Sequence, residues 1–216
     1  PNISMDICTN EITELLNLVK NNSMDLAFVI NPENQPLKDF EYKVYSLKDV
    51  DLAGIEIVED GKTFEHNALI KARTIAKKTK LIAISDDSGL EVDALGKKPG
   101  VYSARYAGEH ATDEENRKKL LKAMQNVPMS KRNARFVSAI AVVFPDGKEF
   151  VVRGICEGMI GFEEKGKNGF GYDSLFIVKG YDKTFGEIPS VIKNSISHRA
   201  NALKLMKQEF IKRVVK

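Results

Sequence analysis

The chain is predicted to be an α/β protein with a mostly central sheet, on three observations. Strand-like and helix-like stretches alternate along it without repeats, low-complexity tracts or an obvious linker. Leu81-Ile82-Ala83-Ile84 is an apolar run of the kind a buried strand requires. Two β-rich runs, 135–144 and 149–156, are joined by Pro145-Asp146-Gly147, a hairpin signal.

The other elements follow in order. Ile12, Leu15, Leu16 and Val19 recur at helical spacing, so an early amphipathic helix is expected. Residues 24–30 and 42–47 read as strands around a loop made irregular by Pro32 and Pro36. Thr63 is the expected cap of a helix whose apolar stripe is Phe64, Ala68, Leu69, Ala72, Ile75 and Ala76. Thr112 with Glu115 makes a capping box ahead of Leu120, Leu121 and Met124. Residues 175–178 form a short buried strand. A last helix starts near Ser197 and buries Leu203, Met206, Phe210 and Val214.

Composition narrows the class. The 216 residues suffice for a real core, as one domain spanning 1–216 or two small lobes. Hydrophobic residues at 43% and charged residues at 29% describe an ordinary soluble protein. A net charge of +3 is too small to argue for nucleic acid or membrane surfaces as partners, and pairs such as Lys97-Lys98 read as solvated faces. Cys8 and Cys156 support neither a disulfide framework nor a zinc site. No apolar run reaches membrane-spanning length and no signal-peptide pattern is seen, so a cytoplasmic location is expected. The chain opens on Pro1 rather than Met, as a processed or edited start would.

Three segments carry the chemistry. In Ser85-Asp86-Asp87-Ser88-Gly89-Leu90, two acids follow the apolar run and meet a Ser-Gly pair, so they are expected where a strand leaves the sheet. Buried acids demand a hydrogen-bond, ion or metal partner, and hard oxygen ligands over a cleft suit Mg²⁺ and a phosphate. For the hexapeptide alone, an Asx turn is the better reading, and the segments downstream reverse that. The glycine-rich stretch 158–173 is one residue from a phosphate loop, but Asn168 stands where Ser or Thr should be and no helix follows. It is read instead as a flexible loop that presents Phe170 or Tyr172 to a planar ligand, or packs them in the core. In Lys193-Asn194-Ser195-Ile196-Ser197-His198-Arg199, the last two residues put cations at a helix start, against the dipole. An anionic or oxygen-rich ligand would repair that, as would one salt bridge.

Together with Glu59-Asp60-Gly61-Lys62-Thr63-Phe64-Glu65-His66-Asn67-Ala68 and Pro99-Gly100-Val101-Tyr102-Ser103-Ala104-Arg105-Tyr106, these segments resemble the inosine triphosphate pyrophosphatase family from 59 to about 206. The resemblance implies a mixed, twisted β-sheet with flanking helices, two lobes around a nucleotide-binding cleft, and a homodimer. It implies Asp87 as general base and Mg²⁺ ligand, Glu59 as the other metal-binding acid, and Ser88 as a substrate contact. Phe170, Gly171, Tyr172 and Asp173 match the nucleoside-binding segment, Lys193 a substrate-contacting lysine, and His198 and Arg199 the pair that reads the purine.

Departures from the family pattern are His66, where an acid is usual, Ser174, where proline is usual, and the first 58 residues. Family members open with Thr-Gly-Asn-x-x-Lys; the nearest match here is Cys8-Thr9-Asn10-Glu11-Ile12, which keeps Thr9 and Asn10 as substrate contacts and lacks the glycine and lysine. Lys20 and Lys38 are candidate substitutes. The implied activity is Mg²⁺-dependent hydrolysis of inosine, deoxyinosine and xanthosine triphosphates to monophosphate and pyrophosphate. The alternatives are a nucleotide-binding protein with impaired turnover and, far behind, a nucleic-acid-binding protein.

Overall fold

The computed structural model describes residues 28–32 and 42–214. Among them, six strands form one sheet: β1 (Phe28–Pro32), β2 (Tyr42–Tyr45), β3 (Ile82–Val92), β4 (Asn133–Val143), β5 (Glu149–Ile160) and β6 (Phe176–Val178), in spatial order β2-β1-β3-β4-β5-β6. The expected α/β class holds. Within it, each described strand pairing runs antiparallel rather than mixed. The early helix and residues 24–27 lie outside the described residues.

Two helices cover the two faces of the sheet. Helix α1 (Phe64–Thr79) starts where Thr63 accepts the His66 amide hydrogen at 3.1 Å and ends at Lys80 in the left-handed conformation. Its Ala68, Ala72, Ile75 and Ala76 pack on Ala83, Val137, Ala139 and Ala141. Alanines on both sides let helix and sheet approach closely, and burying Ile75 contributes about 1.5–3 kcal/mol. On the opposite face, Leu203 and Met206 of helix α4 (His198–Val214) pack on Ile82, Ile84, Ile140 and Val142. Phe210 adds to this layer as expected, whereas the side chain of Val214 lies outside the described set.

One backbone approach sets where α4 begins. Gly154 of β5 faces the first turn of α4 so closely that a Cβ there would overlap His198 O and Ala202 N. Gly154 pairs with Ser138, which pairs with Ser88, so a row of small residues crosses three strands beneath His198 and Arg199.

The remaining helices shape the end of the sheet. Helix α2 (Asp113–Ala123) carries the expected capping box, and Leu120 and Met124 pack beside Leu90, Phe136, Phe176 and Phe185. Buried Arg132 ties this end together by donating to the carbonyls of Met124, Val127, Ile160 and Gly161. Helix α3 (Ser190–Ile196) is short and carries Lys193 just ahead of α4. The β4–β5 hairpin turns at Gly147, with φ +86°, as Pro145-Asp146-Gly147 predicts.

Two expectations are corrected. Ser85-Asp86-Asp87-Ser88-Gly89-Leu90 is neither a turn nor a strand end: β3 runs through it, paired residue by residue with β4 from Ala83 opposite Val143 to Val92 opposite Ala134. Strand propensity is low at Asp and Gly, but tertiary partners for each polar side chain override it. Beside the acids, β1 pairs with β3 at Ile82, Ala83 and Ile84, and further along the same strand Glu91 bridges to Pro99. The stretch 158–173 is also no slack loop. Gly158, Met159 and Ile160 belong to β5, and beyond them Gly161, Lys165 and Asn168 donate backbone bonds to Leu175, Ser174 and Gly186 at 2.8–3.0 Å.

Candidate active site

At one end of the site three charged groups meet. Lys71 projects from α1 toward the sheet and is only 3% exposed. Its Nζ stands 2.9 Å from Glu59 Oε2 and 3.3 Å from Asp87 Oδ1. Glu59 lies just ahead of α1, in a segment fixed by Gly61 N donating to Asn67 Oδ1 at 2.8 Å. The two acids expected to bind metal are thus brought together, with an ammonium between them. Lys71 escaped the reading of the sequence, yet its position held a signal. In the stripe Phe64, Ala68, Ala72, Ile75, residue 71 falls where the helical period places an apolar side chain.

Asp86 and Ser88 point to the other face and meet α4. Arg199 Nε donates to Asp86 Oδ2 at 2.9 Å, Arg199 Nη2 to Ser88 Oγ at 2.9 Å, and Ser88 Oγ to Asp86 Oδ2 at 3.2 Å. The cation at the helix start is therefore answered by an acid from the sheet. His198 needs a correction of charge. It is 7% exposed and stacks on Phe136 with ring centroids 4.9 Å apart. Burial first, then Arg199 and Lys193, hold its pKa well below the usual 6.5, so the imidazole is neutral. Its buried Nδ1 has no hydrogen-bond partner among the described residues, so a ligand group in the cleft would complete it.

The third wall is the segment Gly169–Asp173. Buried Asp173 accepts from Lys193 Nζ and, at 2.9 Å, from Phe170 N. Gly169, at φ +79°, has no room for a Cβ against the Asp173 carboxylate, which explains the glycine. Gly171 is pinned from α2: its amide donates to Asp113 at 2.7 Å and its carbonyl accepts from Arg117 at 3.0 Å. The choice left open between the two aromatics resolves. Phe170 is 45% exposed, with Lys193 Nζ 5.0 Å and Arg199 Cζ 5.8 Å from its ring centre. Tyr172 is 4% exposed and donates its hydroxyl hydrogen to Ser103 O at 2.9 Å, so it serves as wall rather than platform.

Most of these groups, with Lys71 and Asp86 standing behind them, line one cleft of about 660 Å³, within the range of small-molecule sites. Its lining includes Glu59 and Asp87 as well as Ser88, Phe170, Lys193, His198 and Arg199. No group of three or more acidic, His or Cys side chains gathers as a complete metal site among the described residues. The donor set still fits Mg²⁺, which is commonly held by one or two carboxylates together with substrate phosphates and water. Thr9, Asn10, Lys20 and Lys38 lie outside the described residues. His66 is exposed on α1, and Ser174 bonds Glu164 at 3.0 Å. Among the described residues, no helix is long and apolar enough to cross a membrane.

The chain is similar to known proteins over most of its length. The model of the Ham1 family matches residues 20–209. The chain is 54% identical over 163 residues to a dITP/XTP pyrophosphatase of Bacillus licheniformis, an alignment covering 76% of this chain and 83% of that protein. The solved structure of a HAM1 protein from Coxiella burnetii superposes with a TM-score of 0.73 at 35% identity, covering 94% of each chain. The Ham1 protein of Staphylococcus aureus gives 0.72 at 41% identity, covering 77% of this chain and 85% of that one.

Proposed function

The chain belongs to the Ham1 family, and from that premise we propose that it hydrolyses inosine, deoxyinosine and xanthosine triphosphates to the monophosphate and pyrophosphate. It is a hydrolase acting on a phosphoanhydride bond, as its relatives named dITP/XTP pyrophosphatase are. The observation that carries the reading is that one cleft is lined both by Glu59 and Asp87, which share the buried Lys71, and by Arg199, His198 and Phe170. The first group suits a polyphosphate and the second a base.

Glu59 and Asp87 are the residues that would hold Mg²⁺. When bound, the ion would neutralise and orient the phosphate oxygens. Asp87 has the chemistry to accept the proton of a water that attacks the α-phosphorus, and Lys71 keeps the acid cluster from being net repulsive. Lys193, held by Asp173, offers a cation toward the nucleotide. Arg199 presents donors, and neutral His198 has one donor and one acceptor to share. Fixed donors favour a 6-oxo purine over adenine, whose amino group leaves them unpaired. Phe170 offers a face to the base, with Ser88, Gly171 and Asp173 as further contacts.

The resemblance further favours a homodimer. Sedimentation velocity tests the dimer. The impaired-turnover reading rests on residues 1–58, and nothing in the cleft or among the relatives favours it. Measuring pyrophosphate and orthophosphate release from a panel of nucleoside triphosphates with Mg²⁺ tests the function. Pyrophosphate from inosine and xanthosine triphosphates well above adenosine triphosphate is expected. Orthophosphate release, or equal rates across the panel, would overturn the reading.

A further inference from the structure

We infer that Asp86 is a positioning residue for base selection: it fixes the Arg199 guanidinium in the plane from which that side chain meets the purine. The inference rests on the base-reading role proposed above for Arg199. Asp86 is largely buried, and its Oδ2 receives both the Arg199 Nε hydrogen and the Ser88 hydroxyl. Ser88 Oγ in turn accepts from Arg199 Nη2, closing a ring of bonds among three side chains. Two nitrogens of one planar group are thereby held at once, which fixes its plane as well as its place. Arg199 lines the cleft, while Asp86 stands behind it and acts through it.

The physical reason to expect selectivity rather than mere stability is the nature of rejection. A site refuses adenine only if its donors cannot turn away from an unmatched amino group. An arginine side chain regains its rotamer freedom when released. Freed from Asp86, it would swing aside for the wrong base and lose alignment with the right one. Asp87, on the opposite face, keeps its own partner Lys71 throughout. The base-reading contact therefore loosens without dismantling the phosphate end.

The test is the ratio of kcat/KM for inosine over adenosine triphosphate, in wild type, Asp86→Asn, Arg199→Ala and the double variant, with folding checked by circular dichroism. Each single variant should lower the ratio at least tenfold. The double variant should fall no further than Arg199→Ala alone, because both act through one side chain. General destabilisation would lower both rates together and leave the ratio intact. A normal ratio in Asp86→Asn beside a lowered one in Arg199→Ala overturns the positioning role alone. A normal ratio in Arg199→Ala overturns the base-reading role and the inference with it. Additive losses in the double variant also overturn the inference. Should Asp86→Asn fail to fold, Ser88→Ala removes the other held edge; a several-fold fall, not additive with Arg199→Ala, is then expected, and an unchanged ratio overturns the inference.

Discussion

Asp86 and Asp87 are consecutive in β3 yet make their ion pairs on opposite faces of the sheet, Asp86 with Arg199 of α4 at 2.9 Å and Asp87 with Lys71 of α1 at 3.3 Å. The cause is the two-residue period of a strand, which sends neighbouring side chains to opposite sides. A slip of one residue would exchange the partners, so the register of β3 against β4 is part of the site. The paired acids thus tie α1 and α4 to adjacent positions of one strand.

Asp87→Asn should abolish turnover while leaving the fold intact, because it removes a charge and a proton acceptor with almost no change in volume. A loss of at least 10²–10³ in pyrophosphate release is expected, on the scale of removing one catalytic group. Thermal unfolding should remain a single transition, lowered in midpoint because Lys71 loses one of its two buried acid partners and keeps Glu59. Near-normal release by the folded variant would remove Asp87 from its assigned role.

Lys71→Met should destabilise the protein and make it depend on metal. Removing one partner of a buried ion pair costs about 3–5 kcal/mol, since Glu59 and Asp87 are then left facing each other. A divalent cation takes the place of the lost charge, and saturation at 100 times its Kd returns about 2.7 kcal/mol. Thermal melts with and without Mg²⁺ check this. A variant that melts like wild type and ignores Mg²⁺ would show that the lysine does not balance the two acids.

The sequence made some parts of this site visible and hid others for physical reasons. The caps at Thr63 and Thr112 and the turn at Gly147 are local devices, so they read directly. The fate of Asp86 and Asp87 is not local. Their composition favours a turn, and only Lys71 and Arg199, brought in from elsewhere in the chain, let a strand continue through them. The charge of His198 was misread because burial against Phe136 is a tertiary fact. Lys71 was legible as a break in an apolar stripe, although its partners were not.

Stability should fall as the solution is acidified through the histidine range. The folded-state pKa of His198 is depressed below the usual 6.5, so the unfolded chain binds its proton first. The contribution is complete above about pH 6.5 and is lost as the pH falls toward the folded pKa, at a slope of about 1.4 kcal/mol per unit. His198→Phe keeps an aromatic ring against Phe136 and removes the titration. Melting temperatures between pH 8 and pH 5 should therefore decline less in the variant than in the wild type. Parallel curves would mean that His198 takes up its proton equally well in both states.

Gly154→Ala should disturb both stability and base selection, whereas Gly147→Ala should disturb stability alone. At Gly154 the new Cβ would collide with the backbone of His198 and Ala202, which no side-chain rotation relieves. Overpacking of this kind costs about 1–3 kcal/mol, and the yielding element is the first turn of α4, which carries Arg199. The guanidinium would then be carried off its seat on Asp86 and Ser88, lowering the preference for inosine over adenosine triphosphate. At Gly147 a Cβ meets open space, so the strain of φ +86° is the whole cost, about 1–2 kcal/mol. That turn lies in the β4–β5 hairpin and is not part of the cleft lining. Melting temperatures and the ratio of kcat/KM for the two substrates, taken on both variants, separate the effects. A Gly154→Ala protein that is destabilised but keeps its ratio would show that α4 relaxes without moving Arg199.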